Sequence, residues 1–390
     1  MKYIRILSGF VLFFCVPTVF AAKNIILFIG DGMGQGIVTA TRIKHYRPDR
    51  KMYIDTLPYT AIVKTYSKDS IVTDSAAAAT AIACGEKVEN GVLGQDGTAV
   101  AGQKDGKTLK CIAEIAKEKG KSVGLVTTTE ITHATPAGFY AKVHHRDLTP
   151  TIASQLLASS FDVFLGGGKK YFDIDALKQN SSIDLKLTKE DLRKQSLTPD
   201  KVKKVVGLFA DKHLSYELKR DQNGHEPDLL EMTLFAIESL RKNKKGFFLM
   251  VEGGRIDHAL HGNLTEEALY EARQFDVTIG MTLERLNKSG AMKNTLILVT
   301  ADHETGGLSI NGYPSRDVDV AKYPHTTYAS GPLAKASPRG ALLLPPEKDS
   351  HSAYHTGIDV SLFAIGQGAS EVHGTMENTD LFQFMKKHLK

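Results

Sequence analysis

The sequence of 390 residues has little of several features that mark particular protein classes. It contains three cysteines, which are too few for a disulfide scaffold. Its 49 Lys and Arg residues barely exceed its 44 Asp and Glu residues, and no long basic block is present, which argues against a nucleic-acid-binding protein. Its 34 glycines are scattered and 42% of its residues are apolar, which excludes collagen-like and disordered chains. The class that is left is an ordinary globular protein with one large domain or two moderate ones.

Long hydrophobic runs are also scarce, and the one candidate lies at the N-terminus. Two basic residues precede an apolar run over Ile6–Phe20, and Val19 and Ala21 occupy the −3 and −1 positions of a cleavage site. This layout is typical of a secretory signal peptide, which predicts that residues 1–21 are removed. A retained membrane anchor is the alternative, but the run is shorter than the roughly 20 residues that span a bilayer.

Two cysteines remain after this predicted cleavage, because Cys15 lies within the signal peptide. Cys84 lies in an alanine-rich helical run, and Cys111 lies in an amphipathic one. We interpret both as buried free thiols, although the spacing leaves open whether they pair in an oxidising compartment.

The apolar pattern predicts an α/β fold in which a largely parallel central sheet carries helices on both faces. Strand-length apolar runs, several of them continuous, occur at Asn24–Ile29, Ser122–Thr127, Asp162–Leu165, Val205–Phe209, Gly246–Val251, Asn294–Thr300 and Asp359–Ile365. Amphipathic helical stretches occur at Leu109–Lys119, Pro227–Lys242, Thr265–Asn287 and Asp380–Lys387. The stretch from Asn311 to Ser350 has little periodicity, so we expect a short insertion around residues 304–354 in a single domain spanning residues 22–390.

Metal-ligating side chains follow four of the predicted strands. The carboxylates, imidazoles and one hydroxyl at these positions are Asp31, His133, Thr135, Glu252, Asp257, His258, His261, Asp302 and His303. Because parallel strands end at the same edge of a sheet, we expect these groups to converge in one crevice. Clusters of Asp, Glu and His bind divalent cations, so the pattern predicts a metal site.

A serine at a predicted helix start is the candidate nucleophile. Asp74 and Ser75 stand directly before the helix-forming run Ala76–Ala81. A helix N-cap would explain this pair equally well. As a nucleophile, Ser75 would need activation by a base or a metal, and the predicted ligands favour a metal. No Gly-x-Ser-x-Gly elbow is present, which argues against an α/β-hydrolase.

The motifs that carry these residues resemble those of the alkaline phosphatases, in family order and over nearly the whole predicted mature chain. They are Asp31–Gly34, Thr73–Ala77, Thr132–Ala137, Val251–Ala259, Thr300–Gly307 and His355–Gly357. The resemblance implies a secreted bacterial enzyme with the alkaline-phosphatase fold. It also implies an activity, the hydrolysis of phosphate monoesters at alkaline pH through a phosphoserine intermediate.

The resemblance further implies two Zn²⁺ and one Mg²⁺ per subunit. The implied ligands of the first zinc are Asp257, His261 and His355. The implied ligands of the second zinc are Asp31, Asp302, His303 and the Ser75 oxygen. The implied ligands of the magnesium are Asp31, Thr135 and Glu252, together with waters.

Four further residues receive roles from the resemblance. Arg146 matches the arginine that grips phosphate, and Asp74 is expected to orient it. His133 and His258 are expected to surround the magnesium or the phosphate rather than to ligate a metal directly. Some bacterial relatives have Asp where this chain has His133. The loss of that negative charge predicts weaker magnesium retention here.

The resemblance also implies partners and a location. It implies a homodimer that acts on small phosphate monoesters, and the signal peptide indicates a bacterial periplasm.

Two competing functions stay open at this point. Related enzymes that act on phosphodiesters or sulfate esters share a similar metal core. A non-catalytic metal-binding or phosphate-binding protein would lack Ser75 or a zinc ligand, and neither is missing. The remaining histidines, His213 among them, receive no functional role.

Overall fold

The computed structural model describes residues 21–194, 204–220, 224–311, 325–329 and 352–389, and the structural statements that follow concern these ranges. All of the predicted signal peptide except Ala21 lies outside them, as does most of the predicted insertion. No helix in the described ranges is long and apolar enough to cross a bilayer.

The described chain alternates between strands and helices. Its strands are β1 (Asn24–Ile29), β2 (Tyr59–Lys64), β3 (Ser122–Glu130), β4 (Val163–Gly167), β5 (Ile183–Lys186), β6 (Lys204–Leu208), β7 (Phe247–Glu252), β8 (Thr295–Thr300), β9 (Glu304–Thr305), β10 (Leu308–Asn311), β11 (His325–Tyr328), β12 (His355–Thr356), β13 (Val360–Gly366) and β14 (Thr375–Glu377). Its α-helices are α1 (Gln35–Thr41), α2 (Ser75–Cys84), α3 (Ile112–Glu118), α4 (Ala134–Ala137), α5 (Thr149–Ala158), α6 (Ile174–Gln179), α7 (Lys189–Arg193), α8 (Leu229–Leu240), α9 (Arg255–His261), α10 (Thr265–Lys288) and α11 (Asn378–His388).

Within the described residues, ten strands form one sheet in the order β14-β2-β13-β8-β1-β7-β3-β4-β6-β5. Only β13 runs antiparallel to its neighbours in this sheet, β2 and β8. All other neighbouring pairs are parallel. The prediction of a largely parallel α/β sheet is therefore confirmed.

The centre of the sheet forms the core of the molecule. Every residue of β1, β3, β4, β7 and β8 is buried, so both faces of these strands are covered. Helices α3 and α8 pack directly on this part of the sheet. Burial of one large apolar side chain stabilises the fold by about 1.5–3 kcal/mol, and these strands contribute many such side chains.

Three strands differ from the sequence prediction because they lack continuous apolar runs. Strand β2 is buried only at Ala61 and Val63, and β5 only at Lys186. Strand β14 has no buried residue. All three lie at or near the edges of the sheet. At most one face of such a strand is covered by other parts of the protein, so the strand needs few apolar side chains. The predicted strand over Asp359–Ile365 is present as β13, but in the antiparallel direction.

Helix α2 is buried along all ten of its residues, which explains its run of small side chains. A Cβ atom at Gly138 would lie 2.7 Å from the Cβ of Ala79, so larger residues would not fit this contact. Gly85 ends the helix at a φ of 79°, a left-handed conformation that favours glycine.

The two cysteines of the described chain are buried free thiols in this structure, as the sequence analysis expected. The Cys84 thiol donates to the carbonyl of Gly138 at 3.8 Å, and the Cys111 thiol donates to the carbonyl of Phe139 at 3.0 Å. The hydrogen bonds to consecutive carbonyls hold the two thiols beside each other, between α2 and α3.

Candidate active site

The candidate site lies at the carboxyl edge of the central strands. Strands β8, β1, β7 and β3 are neighbours in the sheet, and Ile29 at the end of β1 pairs with both Thr300 and Glu252. Asp31 follows β1, and Asp302 follows β8. The expected convergence of strand-end side chains is therefore present, because adjacent parallel strands end side by side.

The first group of candidate ligands comprises Asp257 and His261 on α9 and His355 on β12. The Nε2 atoms of His261 and His355 lie 3.3 and 3.6 Å from Asp257 Oδ1, and 3.0 Å from each other. The Nδ1 atoms of these rings bond to the carbonyls of Ala353 and Thr73 at 2.6 and 2.9 Å. Since a carbonyl can only accept, Nδ1 of each ring is the donor in these bonds, and Nε2 is the ring atom directed toward Asp257.

A short antiparallel clamp brings His355 to this site. Strand β12 pairs with β9, with His355 opposite Thr305 and Thr356 opposite Glu304. Glu304 accepts hydrogen bonds from the backbone of Gly307 and the hydroxyl of Thr356. The clamp stacks the His355 ring on that of His303, with centroids 3.6 Å apart.

The second group comprises Asp31, Asp302 and His303, all completely buried. His303 Nε2 lies 3.2 Å from Asp302 Oδ2 and 3.5 Å from Asp31 Oδ1. Asp302 Oδ1 accepts from the backbone of Gly32 at 3.1 Å, which fixes the carboxylate. Ser75 Oγ lies 3.1 Å from His303 Nε2, so the candidate nucleophile borders this group.

The third group surrounds Glu252 at the end of β7. Glu252 accepts hydrogen bonds from Thr127 and Thr129 through Oε2, whereas its buried Oε1 has no hydrogen-bond partner in the described residues. Thr135 donates to Asp31 Oδ2 at 3.4 Å. One ring nitrogen of His133 and carboxylate oxygens of Asp31 and Glu252 all lie within 4.8 Å of one another. His133 is therefore close enough to ligate a cation here, nearer than the sequence analysis expected.

Keeping these buried carboxylates ionised so close together is electrostatically unfavourable unless positive charge balances them. Burial, together with the charge of Asp257, raises the pKa of Asp302 to about 8. Burial raises the pKa of Glu252 to about 7. Burial and the charges of Asp302 and Asp257 also raise the pKa of Asp31 well above its usual value. Divalent cations would offset this charge, and the oxygen and imidazole donors fit zinc and magnesium.

Asp74 serves two partners with its two oxygens. Its Oδ1 accepts from the backbone of Ala77 at 2.9 Å and caps α2, and its Oδ2 accepts from Arg146 Nη1 at 3.0 Å. Both interpretations of this residue, as a helix cap and as a partner of Arg146, are therefore compatible with one geometry. Arg146 Nη2 also lies 3.3 Å from His133 Nε2, which orients the guanidinium toward the site.

The sequence analysis missed one histidine beside the site, His213. Its ring centroid lies 4.4 Å from that of His258 and 5.6 Å from that of His133. Its Nδ1 accepts from the backbone of Glu130 at 3.1 Å. Burial lowers the pKa values of His213 and His258 to about 4 and about 3, so both rings are neutral. His213 follows β6, and only its position after a strand could have drawn attention to it.

Comparisons with known proteins agree with this geometry. The family model for alkaline phosphatase matches residues 22–336. The chain is 34% identical to alkaline phosphatase 4 of Bacillus subtilis, over 94% of this chain and 89% of that protein. It is also 34% identical to the human tissue-nonspecific isozyme of alkaline phosphatase, over 91% of this chain and 81% of that protein.

Solved structures also relate the chain to the alkaline phosphatases. The alkaline phosphatase of the Antarctic bacterium TAB5 superposes with a TM-score of 0.77 and 29% identity, over 95% of this chain and 98% of that one. Two TAB5 variants, in which a histidine is replaced by aspartate or by glutamate, have Mg bound in the M3 site. The matched motifs, the shared fold and the three groups of candidate ligands lead to one conclusion. The chain belongs to the alkaline phosphatase family, and it is a metal-dependent phosphomonoesterase.

Proposed function

We propose that this enzyme works through a phosphoserine intermediate on Ser75, with two Zn²⁺ and one Mg²⁺ bound beside it. The arrangement of His261 and His355 carries the proposal, because their Nε2 atoms lie 3.0 Å apart and both face the Asp257 carboxylate. Two imidazole nitrogens and one carboxylate oxygen that converge in this way form a donor set that zinc prefers. The position of Ser75 beside a second group of this kind supports its role as the nucleophile.

The proposed ligands divide into three sets. The first zinc would take Asp257, His261 and His355, and the second would take Asp31, Asp302, His303 and Ser75. The magnesium would take Asp31, Thr135 and Glu252, with His133 beside them. When bound, these cations would stabilise the ionised Ser75 oxygen and the negative charge on the leaving oxygen.

The proposed reaction has two displacements at phosphorus. Ser75 loses its proton, and its Oγ forms a bond to phosphorus as the ester P–O bond breaks and the leaving oxygen takes up a proton. Water then attacks the phosphoserine, the bond between phosphorus and Oγ breaks, Oγ regains a proton as the water loses one, and phosphate is released. Ser75 lies at the first residue of α2, so backbone N–H groups of the helix start face the bound phosphate.

Arg146 would hold two phosphate oxygens with its planar guanidinium throughout this sequence. Asp74 supports that role, because its hydrogen bond to Arg146 Nη1 fixes the group while Nη2 remains directed toward the site. A substrate that is gripped mainly through its phosphate leaves the alcohol little constrained. We therefore propose a broad range of phosphate monoesters as substrates.

We further propose a single domain over residues 22–390 with a short insertion around residues 304–354, and removal of residues 1–21 as a signal peptide. The enzyme would be a homodimer in a bacterial periplasm, with an alkaline pH optimum. Two observations support the single domain: among the described residues one apolar cluster extends from Ala22 to Leu389, and bacterial relatives match most of the chain.

The comparison of three chromogenic substrates, with metal analysis, tests the proposed activity. We expect kcat/KM for nitrophenyl phosphate to exceed that for the corresponding diester and sulfate by at least about a thousandfold. The purified protein should contain zinc and magnesium in a ratio of two to one. Faster hydrolysis of the diester or the sulfate would instead identify a relative with a different substrate class.

Replacing His133 by aspartate should strengthen magnesium binding. A carboxylate restores a negative charge beside Asp31 and Glu252, and we expect the magnesium Kd to fall by about tenfold. Metal content after dialysis measures this directly, without an activity assay, and added magnesium should activate the dialysed wild type slowly. The exposed His373→Asp is the matched control. Equal magnesium content in dialysed wild type and His133→Asp would contradict the expectation.

A further inference from the structure

A thiol, an amine and a carboxylate meet in one cluster at the start of α3, and the proposed reaction uses none of them. This thiol–amine cluster comprises Cys111, Glu114 and Lys142. Cys111 Sγ lies 2.8 Å from Lys142 Nζ and 2.9 Å from Glu114 Oε2. Lys142 Nζ also lies 3.0 Å from Glu114 Oε2, so each of the three groups contacts the other two.

Backbone contacts hold both segments of the thiol–amine cluster in place. Cys111 is the N-cap of α3, and its backbone N–H donates to Glu114 Oε2 at 2.8 Å. Lys142 follows α4 in the chain, and its backbone N–H donates to the side chain of Gln155 on α5 at 2.7 Å. The approach of the amine to the thiol is therefore fixed by the fold and is not a chance meeting of two surface side chains.

The cluster is shielded from large reagents. Cys111 is completely buried, and the Lys142 side chain is 13% exposed. Burial raises the pKa of the Cys111 thiol, whereas the Lys142 ammonium acts in the opposite direction by favouring the thiolate. A protein disulfide cannot reach Cys111 in the folded enzyme, but dioxygen can, because it is small and apolar.

The separation of nitrogen and sulfur indicates what the two atoms can form. At 2.8 Å they are closer than the about 3.5 Å at which two carbon atoms reach their optimal non-bonded distance, although sulfur is larger than carbon. One bridging atom would fill a gap of this length, whereas a direct bond would need a much closer approach. Glu114 Oε2 lies within hydrogen-bond distance of both atoms, so it can accept the proton that either must lose.

We propose that Cys111 and Lys142 form a covalent link through one oxygen atom, Nζ–O–Sγ, when the enzyme is exposed to dioxygen. The S–H bond and one N–H bond break, and N–O and O–S bonds form. Sulfur and nitrogen are oxidised, and dioxygen is reduced: one of its atoms becomes the bridge, and the other leaves as water with the two hydrogens. Two molecules of a dithiol reverse the step, restore the thiol and the amine, and release the bridging oxygen as water.

The link would tether α3 to the segment that carries Arg146. Arg146 lies four residues after Lys142, and its backbone N–H donates to the Gly91 carbonyl at 2.8 Å. The link closes a loop of about 30 residues, and cross-links of this kind stabilise a protein mainly by restricting its unfolded chain. The tether would therefore stabilise the enzyme in a way that reductant reverses.

Peptide mass analysis of the metal-loaded wild type, purified in air without reductant, tests the proposal. The protein is denatured, its free thiols are alkylated, and the chain is digested. We expect a linked pair of peptides, containing Cys111 and Lys142, whose mass is that of the two peptides plus one oxygen minus two hydrogens. Dithiothreitol should separate the pair and make Cys111 available for alkylation.

Three variants provide controls for this experiment. Cys84→Ala removes the neighbouring buried thiol and should keep the link. Lys142→Arg retains a positive charge beside Glu114, and Lys142→Met removes it; neither should form the link, and phosphatase activity reports whether each variant folds. Reductant should lower Tm by about 4 °C more in wild type than in Lys142→Met, which shares any effect of reductant on the bound metals.

Three results would overturn the proposal. In the first, Cys111 of air-purified wild type is fully alkylated before any reductant is added. In the second, its partner is Cys84, in a peptide pair that has lost two hydrogens and gained no oxygen. In the third, reductant lowers Tm equally in wild type and Lys142→Met.

Discussion

Replacing Ser75 by alanine should lower kcat for phosphate monoesters by at least about a thousandfold, because the proposed covalent intermediate forms on its oxygen. The fold should be unaffected. Within the described ranges the Ser75 hydroxyl makes one hydrogen bond, to His303 Nε2, and alanine suits the first turn of α2. Steady-state kinetics and thermal unfolding of the same preparation measure both expectations.

This variant has a matched control and a direct test for the covalent intermediate. Ser154 is exposed on α5 and distant in sequence from every proposed ligand, so Ser154→Ala should keep wild-type turnover. Acid quenching of the wild type with radiolabelled substrate should trap a labelled phosphoserine that is absent from Ser75→Ala. Wild-type turnover in Ser75→Ala would mean that water attacks the ester directly.

Removal of the metals by a chelator should destabilise the protein more at alkaline pH than at neutral pH. Asp302 and Glu252 have folded-state pKa values of about 8 and about 7 without metal, well above those of unfolded carboxylates. Above about pH 7 the buried histidines, whose pKa values are lowered, are neutral in both states, so these two carboxyls make the stability of the metal-free protein fall as pH rises from about 7 to above 8. Bound cations remove the penalty.

Thermal unfolding with and without chelator at about pH 7 and about pH 9 measures this effect. We expect the metal-free protein to lose about 2 kcal/mol, or about 3 °C in Tm, between the two pH values. Asp302→Asn should recover part of this loss in the metal-free protein because it removes one buried charge. The exposed Asp175→Asn should not. A chelator effect independent of pH would contradict the electrostatic explanation.

The buried centre of the fold was predictable because its strands are continuously apolar. Strands β1 and β8 have the predicted bounds to within one residue. Both faces of these strands are buried, so nearly every position is apolar and the run is easy to delimit. Strands β2 and β14 were not predictable in this way, because at the edge of the sheet hydrogen bonding to a neighbour, rather than apolar burial, defines the strand.

The candidate ligands could be located from their positions after strands, but their exact contacts could not. The spacing of Asp257 and His261 predicts a shared helix face, which is present on α9. The approach of His213 to His258 depends on where the loop after β6 folds, and no local pattern encodes that. The proximity of His133 to Asp31 and Glu252 likewise arises from packing between separate elements.

The two-residue clamp between β9 and β12 has a consequence for how this family can change over time. It pairs Thr305 with His355 and so closes the loop between them beside two proposed metal ligands, His303 and His355. Closing a longer loop is cheap, because each doubling of its length costs only about 0.6 kcal/mol of chain entropy. Insertions between the clamp strands can therefore accumulate under weak selection, while the geometry at His303 and His355 remains unchanged.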